Sequence, residues 1–208
     1  MTSRHTALAG AVFVPAFAAG MLLVNNPDGN ASDARFAAFY GDSGHRGQLI
    51  VAGACLCVAA LSWLVFTIGL RERLGEGTPE RIAGGSATFA AALICVGGTL
   101  LAAIPAAVSL GNAPLPGADL ERVLPIGGYL AICLFGMPAT SLTLVAVGTG
   151  ALREQALPRP LAWSALITSV LLLGSLEFFP IVALILWVAA AVIVLARRPL
   201  RIPLPATA

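Results

Sequence analysis

Long apolar stretches alternate with polar segments along this chain. Four of the stretches carry no charged residue, and they cover residues 7–24, 49–70, 82–108 and 123–152. A helix needs about 20 apolar residues to cross a hydrocarbon core of about 30 Å. Because lipid offers the backbone no hydrogen-bond partner, this pattern predicts membrane-spanning helices rather than open strands.

A fifth apolar stretch covers residues 161–196 and is interrupted once, at Glu177 and Pro180. As one helix it would be about 54 Å long at about 1.5 Å per residue, which exceeds a single crossing. Pro180 disfavours a continuous helix, and Glu177 would lie near the middle of such a rod. We therefore expect two helices, 161–176 and 179–196, joined by a tight turn.

The distribution of positive charge predicts how these six helices are oriented. With the N-terminus inside the cell, nine of the twelve arginines fall in cytoplasmic segments and three fall outside. The inner arginines are Arg4, Arg71, Arg73, Arg81, Arg153, Arg159, Arg197, Arg198 and Arg201, and the outer ones are Arg35, Arg46 and Arg122. Cytoplasmic loops carry an excess of basic residues. The sequence therefore predicts an all-α integral membrane helical bundle, one domain over residues 1–208, with six transmembrane helices and both termini cytoplasmic.

The first helix also has features of a secretory signal, because Arg4 and His5 precede it and small residues follow within it. Its apolar run of 18 residues is longer than a usual signal core, and five further spans follow. An uncleaved first helix is the favoured interpretation. Cleavage would leave five helices and an outside N-terminus.

The longest predicted outer loop covers residues 25–46. It opens with turn-forming residues, and Ser32 is placed to cap a short helix near 33–40. In that helix Phe36, Phe39 and Tyr40 share one face. We expect it to lie flat in the membrane interface with its rings toward lipid. The alternative is a lid over an extracellular cavity.

Composition supports a membrane protein and excludes several other classes. The chain is 58% hydrophobic and 11% charged, and its mean hydropathy is +0.91. A soluble domain carries about a quarter charged residues. The net charge of +2 is too small to indicate a nucleic-acid surface. The absence of lysine, together with abundant alanine, glycine and arginine, is typical of a high-GC bacterial gene, so we expect the bacterial cytoplasmic membrane.

Four polar residues near the predicted outer surface are candidates for a ligand site or gate: Asp42, His45, Arg46 and Glu177. An intramembrane acid such as Glu177 is typical of a proton or cation site, although in an outer turn it can simply reach water and cap the next helix. Asp42, His45 and Arg46 could bind an anion or respond to pH. The simpler interpretation of these three is a hydrated helix entrance.

The cysteines and histidines do not predict a cofactor. The four cysteines, Cys55, Cys57, Cys95 and Cys133, all fall within predicted helices, where they are expected to be small packing residues. The two histidines lie in a tail and a loop, so no metal-ligand cluster is predicted. The sequence contains no recognisable nucleophile–base set either.

Prolines and glycines predict kinks and close helix contacts. Pro15 and Pro138 fall inside the first and fourth predicted helices, where each removes a backbone hydrogen bond. If the six helices are divided into two halves of three, the two prolines lie at corresponding positions, in the first helix of each half. Halves that are related in this way are a feature of secondary transporters with inverted repeats. Glycine pairs at 84–85, 97–98 and 127–128 would let helices approach closely.

Part of the chain resembles a group of bacterial membrane proteins. The relevant segments are AAFYGD at 37–42, WLVF at 63–66 and the basic stop LRERL at 70–74. In these segments the chain resembles uncharacterised multi-pass membrane proteins of high-GC actinobacteria that are grouped as a domain of unknown function. The resemblance implies a six-helix or similar membrane protein, and it implies no particular activity.

Three functions are compatible with the sequence. The first is a non-enzymatic membrane component that packs against lipid, a partner membrane protein or a second copy of itself. The alternative is a small-molecule permease or exporter with kinked helices. The third, a membrane enzyme, requires several outer polar residues to converge on one pocket; they are Asp42, His45, Arg46, Asp119, Glu121 and Glu177.

Overall fold

The computed structural model describes residues 3–174 and 179–197, and within them every regular element is helical. Glu177 and the predicted tight turn before 179 lie outside these residues. The elements are α1 (Ser3–Leu23), α2 (Asp33–Gly41), α3 (Ser43–Arg71), α4 (Thr78–Gly111), α5 (Ala118–Leu130), a π-helical turn (Ala131–Gly136), α6 (Met137–Glu154), α7 (Arg159–Leu172) and α8 (Phe179–Arg197).

Five helical segments of the described chain are long and apolar enough to cross a membrane. They are Arg4–Leu23, Ser43–Arg71, Thr78–Gly111, Ala118–Glu154 and Phe179–Arg197. The fourth comprises α5, the π-helical turn and α6 as one continuous rod. A helix of 14 residues such as α7 is about 21 Å long at about 1.5 Å per residue, which is shorter than the hydrocarbon core.

The helices extend beyond the apolar stretches because polar residues build their first turns. The predicted outer loop 25–46 ends at Asp42, where α3 begins. The Asp42 side chain caps this helix by accepting a hydrogen bond from the backbone N–H of His45 at 2.9 Å. In α4 the first turn contains Pro79 and Glu80, both of which favour a helix N-terminus. The hydrophobic pattern alone locates only the part of each helix that lies among apolar residues.

The long helices pack side by side in a closed ring. Going around it, α1 contacts α3, α3 contacts α4, α4 contacts the α5–α6 rod, α6 contacts α7, α7 contacts α8, and α8 returns to α1. Aromatic side chains fill part of the interior, where Phe13 stacks on Phe17 at 5.2 Å and contacts Trp63 at 5.4 Å between ring centroids. Phe66 bridges to Trp187 with a centroid distance of 6.3 Å.

Two adjacent glycines of α4 bring both of its neighbours into backbone contact. A Cβ atom on Gly97 would lie 2.6 Å from the carbonyl oxygen of Gly128 in α5. On the α3 side, a Cβ on Gly53 would lie 2.6 Å from the carbonyl oxygen of Gly98. The expected close approach is therefore confirmed at Gly97, Gly98 and Gly128, whereas Gly85 faces open space.

Buried hydroxyl groups join the helices on the other side of the ring. Ser86 of α4 and Thr143 of α6 are 2.9 Å apart, and Ser141 of α6 donates to the carbonyl oxygen of Ser169 in α7 at 2.6 Å. Thr140 donates to the carbonyl oxygen of Gly136 at 2.9 Å. These groups are neutral, and each makes a hydrogen bond within the bundle. Their burial therefore avoids the free-energy cost of an unpaired polar group.

The two predicted kink prolines have different settings. Pro15 lies inside α1, whereas Pro138 lies at the start of α6, directly after the π-helical turn. In that turn the backbone N–H of Met137 bonds the carbonyl of Ile132, five residues back. Pro138 has no N–H to donate, so it interrupts the regular α-helical hydrogen bonds at this point. The π-helical turn lies directly beside this interruption.

The glycine contacts of α4 generate a paired test. Gly97→Ala should destabilise the protein by roughly 1–3 kcal/mol, because its Cβ would meet the backbone carbonyl oxygen of Gly128 as well as the side chain of Ile132, and the backbone of α5 cannot move aside as a side chain can. Gly85→Ala in the same helix should be neutral or stabilising by up to roughly 1 kcal/mol, since it adds helix propensity in open space. Reversible unfolding in mixed detergent micelles, followed by circular dichroism, measures both. Equal effects of the two variants would contradict the close-contact interpretation.

Candidate functional site

One end of the ring is covered by a structure that we call the cap, formed by residues 24–42 and the first two turns of α5. Its helix α2 lies against the ring, with Phe36 and Tyr40 buried beside Leu49 of α3 and Ile104 of α4. The prediction that the three rings of α2 face lipid is therefore wrong for two of them. The shared face is real, but it packs on protein because the ends of α3 and α4 supply an apolar surface.

Arg46 fastens α2 to the ends of two long helices. Its Nη1 donates to the carbonyl oxygens of Tyr40 and Gly41 at 2.7 and 2.6 Å, and its Nε donates to Ser109 Oγ at 2.9 Å. The carbonyls at the C-terminus of a helix lack partners within the helix, and a cation there also matches the helix dipole. Arg46 thus connects α2, α3 and α4.

Asp42 and His45 lie together at the start of α3. Asp42 Oδ1 is 3.3 Å from His45 Nδ1, and the backbone N–H of His45 lowers the pKa of the Asp42 carboxyl below its usual range. The imidazole stacks on Phe39 with a centroid distance of 4.4 Å. Three of the four predicted site residues are therefore neighbours on the chain that serve this junction. The fourth, Glu177, lies outside the described residues.

A second set of polar residues, at the start of α5, connects the two parts of the cap. Arg122 Nη2 lies 2.5 Å from Asp33 Oδ1 of α2, and the same atom donates to the carbonyl oxygen of Ala31 at 2.8 Å. Its guanidinium carbon lies 4.9 Å from the centre of the Phe36 ring, which is cation–π geometry. Asp119 contributes a longer contact of 3.9 Å to Arg122. Sequence reasoning did not single out Arg122 for this role.

Glu121, adjacent to that arginine, is the most unusual residue of the cap. It is only 1% exposed, and its Oε1 has no hydrogen-bond partner among the described residues. Buried carboxylates are normally paired, because an ion that loses its hydration must regain it from the protein. In the sequence, Glu121 is only one of six outer polar residues of which a membrane enzyme would bring several together in one pocket.

Tyr40 shares this buried environment. Its hydroxyl donates to Asn26 Oδ1 at 3.4 Å. Burial, and secondarily the negative charge of Glu121, raise the pKa of Tyr40 to about 12. The phenol therefore remains a neutral hydrogen-bond donor across the physiological pH range.

Two clefts open in the cap on either side of the segment Asn26–Pro27. The first, of about 290 Å³, has Phe36, Ile126 and Tyr129 in its walls and Arg122 at its edge. The second, of about 380 Å³, is lined by residues that include Arg35, Phe39 and His45. Small-molecule sites have volumes of about 300–1,000 Å³ and combine apolar walls with a few polar groups. The first cleft has this combination and is our candidate site.

Neither metal chemistry nor similarity to known proteins adds to this description. Among residues 3–174 and 179–197, no group of three or more His, Cys, Asp or Glu side chains could hold a metal ion. Comparison with protein-family models, with curated proteins and with solved structures finds no match to this chain.

The pKa of Tyr40 predicts how the stability of the cap depends on pH. In the unfolded chain tyrosine loses its proton near pH 10, whereas folded Tyr40 keeps it until about pH 12. Between these values the unfolded state binds fewer protons, so the free energy of unfolding should fall by about 1.4 kcal/mol per pH unit. Absorbance of tyrosinate, with unfolding measured in parallel, follows both events. Tyr40→Phe should abolish this late titration and Tyr129→Phe should retain it; loss of the late step from Tyr129→Phe, or its survival in Tyr40→Phe, would contradict the assignment.

Proposed function

We propose that this chain is a multi-pass protein of the bacterial cytoplasmic membrane, with six spanning helices and cytoplasmic termini, and that it acts as a non-enzymatic lipid-binding component. The short helix α7 is the sixth span, since a helix shorter than the hydrocarbon core is accommodated by local thinning of the bilayer. The arginine distribution supports this orientation, which places the cap at the outer surface. The cleft of about 290 Å³ between the segment 24–29 and α5 is the observation that carries the lipid-binding function.

The orientation has a direct test. A fluorescent reporter that matures only in the cytoplasm should be bright when fused to the C-terminus, because the last helix ends at Arg197 and the sequence continues with Arg198 and Arg201. A phosphatase that is active only outside the cytoplasm should be active when inserted at Gly29, an exposed turn residue of the cap. A dark C-terminal fusion or an inactive Gly29 insertion would overturn the proposed orientation.

The walls of the cleft suit an acyl chain. Val24, Phe36, Ile126 and Leu130 supply apolar surface, and Ile126 and Leu130 are themselves exposed on the side of the bundle. A cleft open in this direction meets the hydrocarbon region of the outer leaflet in the proposed orientation. A lipid chain can therefore enter from the bilayer without crossing water.

The charges at the edge of the cleft favour a headgroup that carries both signs. Arg122 is already paired with Asp33, and Asp119 and Glu121 add two more carboxylates nearby. An anionic headgroup would meet this acidic surplus, whereas a zwitterionic one offers an ammonium to the carboxylates and a phosphate to Arg122. We therefore propose a phospholipid of the phosphatidylethanolamine type as the ligand.

Lipid retention tests this proposal. Protein reconstituted with equal amounts of phosphatidylethanolamine and phosphatidylglycerol should retain one phosphatidylethanolamine in native mass spectrometry. Ile126→Trp should fill the cleft and lower that occupancy roughly tenfold, the effect of displacing about two buried methylenes. Ile193→Trp, at an exposed position of α8, is the matched control and should retain the lipid. Equal retention of both lipids, or no difference between the two variants, would contradict the proposal.

A second candidate function is a small permease or exporter, and one observation favours it. The π-helical turn 131–136, followed by Pro138, lies in the middle of the longest apolar rod, and π-turns inside α-helices frequently occur at functional sites. Passage through the ring would require its helices to move apart, because Phe13, Phe17 and Trp63 occupy interior positions. Lipid retention that depends on Ile126 favours the first candidate; substrate flux that depends on Pro138 would favour the second.

A further inference from the structure

Two cysteines from different helices meet on the side of the bundle. Cys57 of α3 and Cys95 of α4 are both half-buried, and their Sγ atoms are 3.6 Å apart. The Cys57 thiol also points toward the carbonyl oxygen of Cys95, at 3.9 Å. Sequence reasoning assigned both residues to packing, because a contact between residues 38 positions apart leaves no local pattern.

The glycine contact between α3 and α4 explains why these thiols meet. The two helices run antiparallel, with Gly53 against Gly98. Cys57 lies about one turn after Gly53, and Cys95 lies about one turn before Gly98, so the two cysteines face each other at the next level of the same interface. Because the backbones approach closely at the glycines, short cysteine side chains span the remaining gap.

The surroundings determine which oxidants can reach the pair. Val58 and Val96, each adjacent to one of the cysteines, are exposed on the side of the bundle. Both cysteines lie near the middle of helices that are long enough to cross a membrane. In the proposed membrane orientation the pair therefore contacts the hydrocarbon core, where a water-soluble oxidant does not penetrate. This last step, unlike the thiol geometry, rests on the proposed placement in the membrane.

We propose that Cys57 and Cys95 form a redox-active dithiol that closes to a disulfide between α3 and α4, with a lipid-soluble quinone as the electron acceptor. The two S–H bonds break and one S–S bond forms. The protein loses two electrons and two protons, and the quinone takes up both to become a quinol. Closure requires the sulfur atoms to move from 3.6 Å to about 2.05 Å.

The experiment uses the full-length, fully reduced protein in liposomes under anaerobic conditions. Addition of decylubiquinone should produce one quinol per protein, and the intact mass of the protein should fall by two hydrogen atoms. Cys57→Ser and Cys95→Ser should each abolish both changes. Cys55→Ser is the matched control, because Cys55 lies two residues from Cys57 and about 200° away around α3, and this variant should react like the parent protein.

Two results would overturn the proposal. One is a protein whose mass and thiol content do not change although the quinone is present in excess. The other is quinol formation that persists in Cys57→Ser. Thermal unfolding of a separate sample of each serine variant shows whether the variant is folded. Failure of a folded variant to form the disulfide is then assigned to the missing thiol. The reporter fusions test the membrane orientation separately, and a failure there is therefore distinguishable from a failure of the dithiol.

Discussion

The contacts at Gly97 and Gly98 determine how the rest of this structure is arranged. These two adjacent residues face different neighbours, Gly97 toward α5 and Gly98 toward α3. In lipid, helices gain little from hydrophobic burial against one another, so close van der Waals contact must hold them together. One dipeptide in the middle of α4 therefore fixes the separation of three helices. A side chain at either position would move an entire helix rather than one rotamer.

The geometry of the cap follows from that constraint. Because α5 is held against α4 at Gly128, its first turns reach α2, which lies on the ends of α3 and α4. Arg122 can then contact Asp33 and Phe36, residues more than 80 positions earlier in the chain. Arg46 fixes the same helix α2 from the opposite side. The candidate cleft is the space between α5 and the segment 24–29, with Arg122 among its lining residues.

The sequence predicts the long helices because their signal is local. An uncharged apolar run identifies a helix without reference to any other part of the chain. The same applies to the shared face of Phe36 and Tyr40, although what that face contacts depends on the ends of α3 and α4. The contacts of Arg122 and Glu121, and the meeting of Cys57 with Cys95, require knowledge of which helices are neighbours. Helix periodicity contains no such information, so the sequence does not predict these contacts.

The distribution of hydrogen bonds explains why the candidate chemistry lies at the cap. In the interior, the hydroxyls of Ser86, Thr140 and Thr143 bond to one another or to backbone carbonyls, so they have little capacity left for a ligand. The buried indole N–H of Trp63 lacks a partner among the described residues, but it is a single donor surrounded by aromatic rings. At the cap, by contrast, a buried carboxylate oxygen of Glu121 lacks a partner within a cluster that also contains Arg122. Desolvating a charge without pairing it is costly, and a ligand that supplies an ammonium or a proton there removes the cost. Among the described residues, the cap is where such a carboxylate lies next to an open cleft, because Glu121 precedes the cleft residues Pro125 and Ile126 by about one turn of α5.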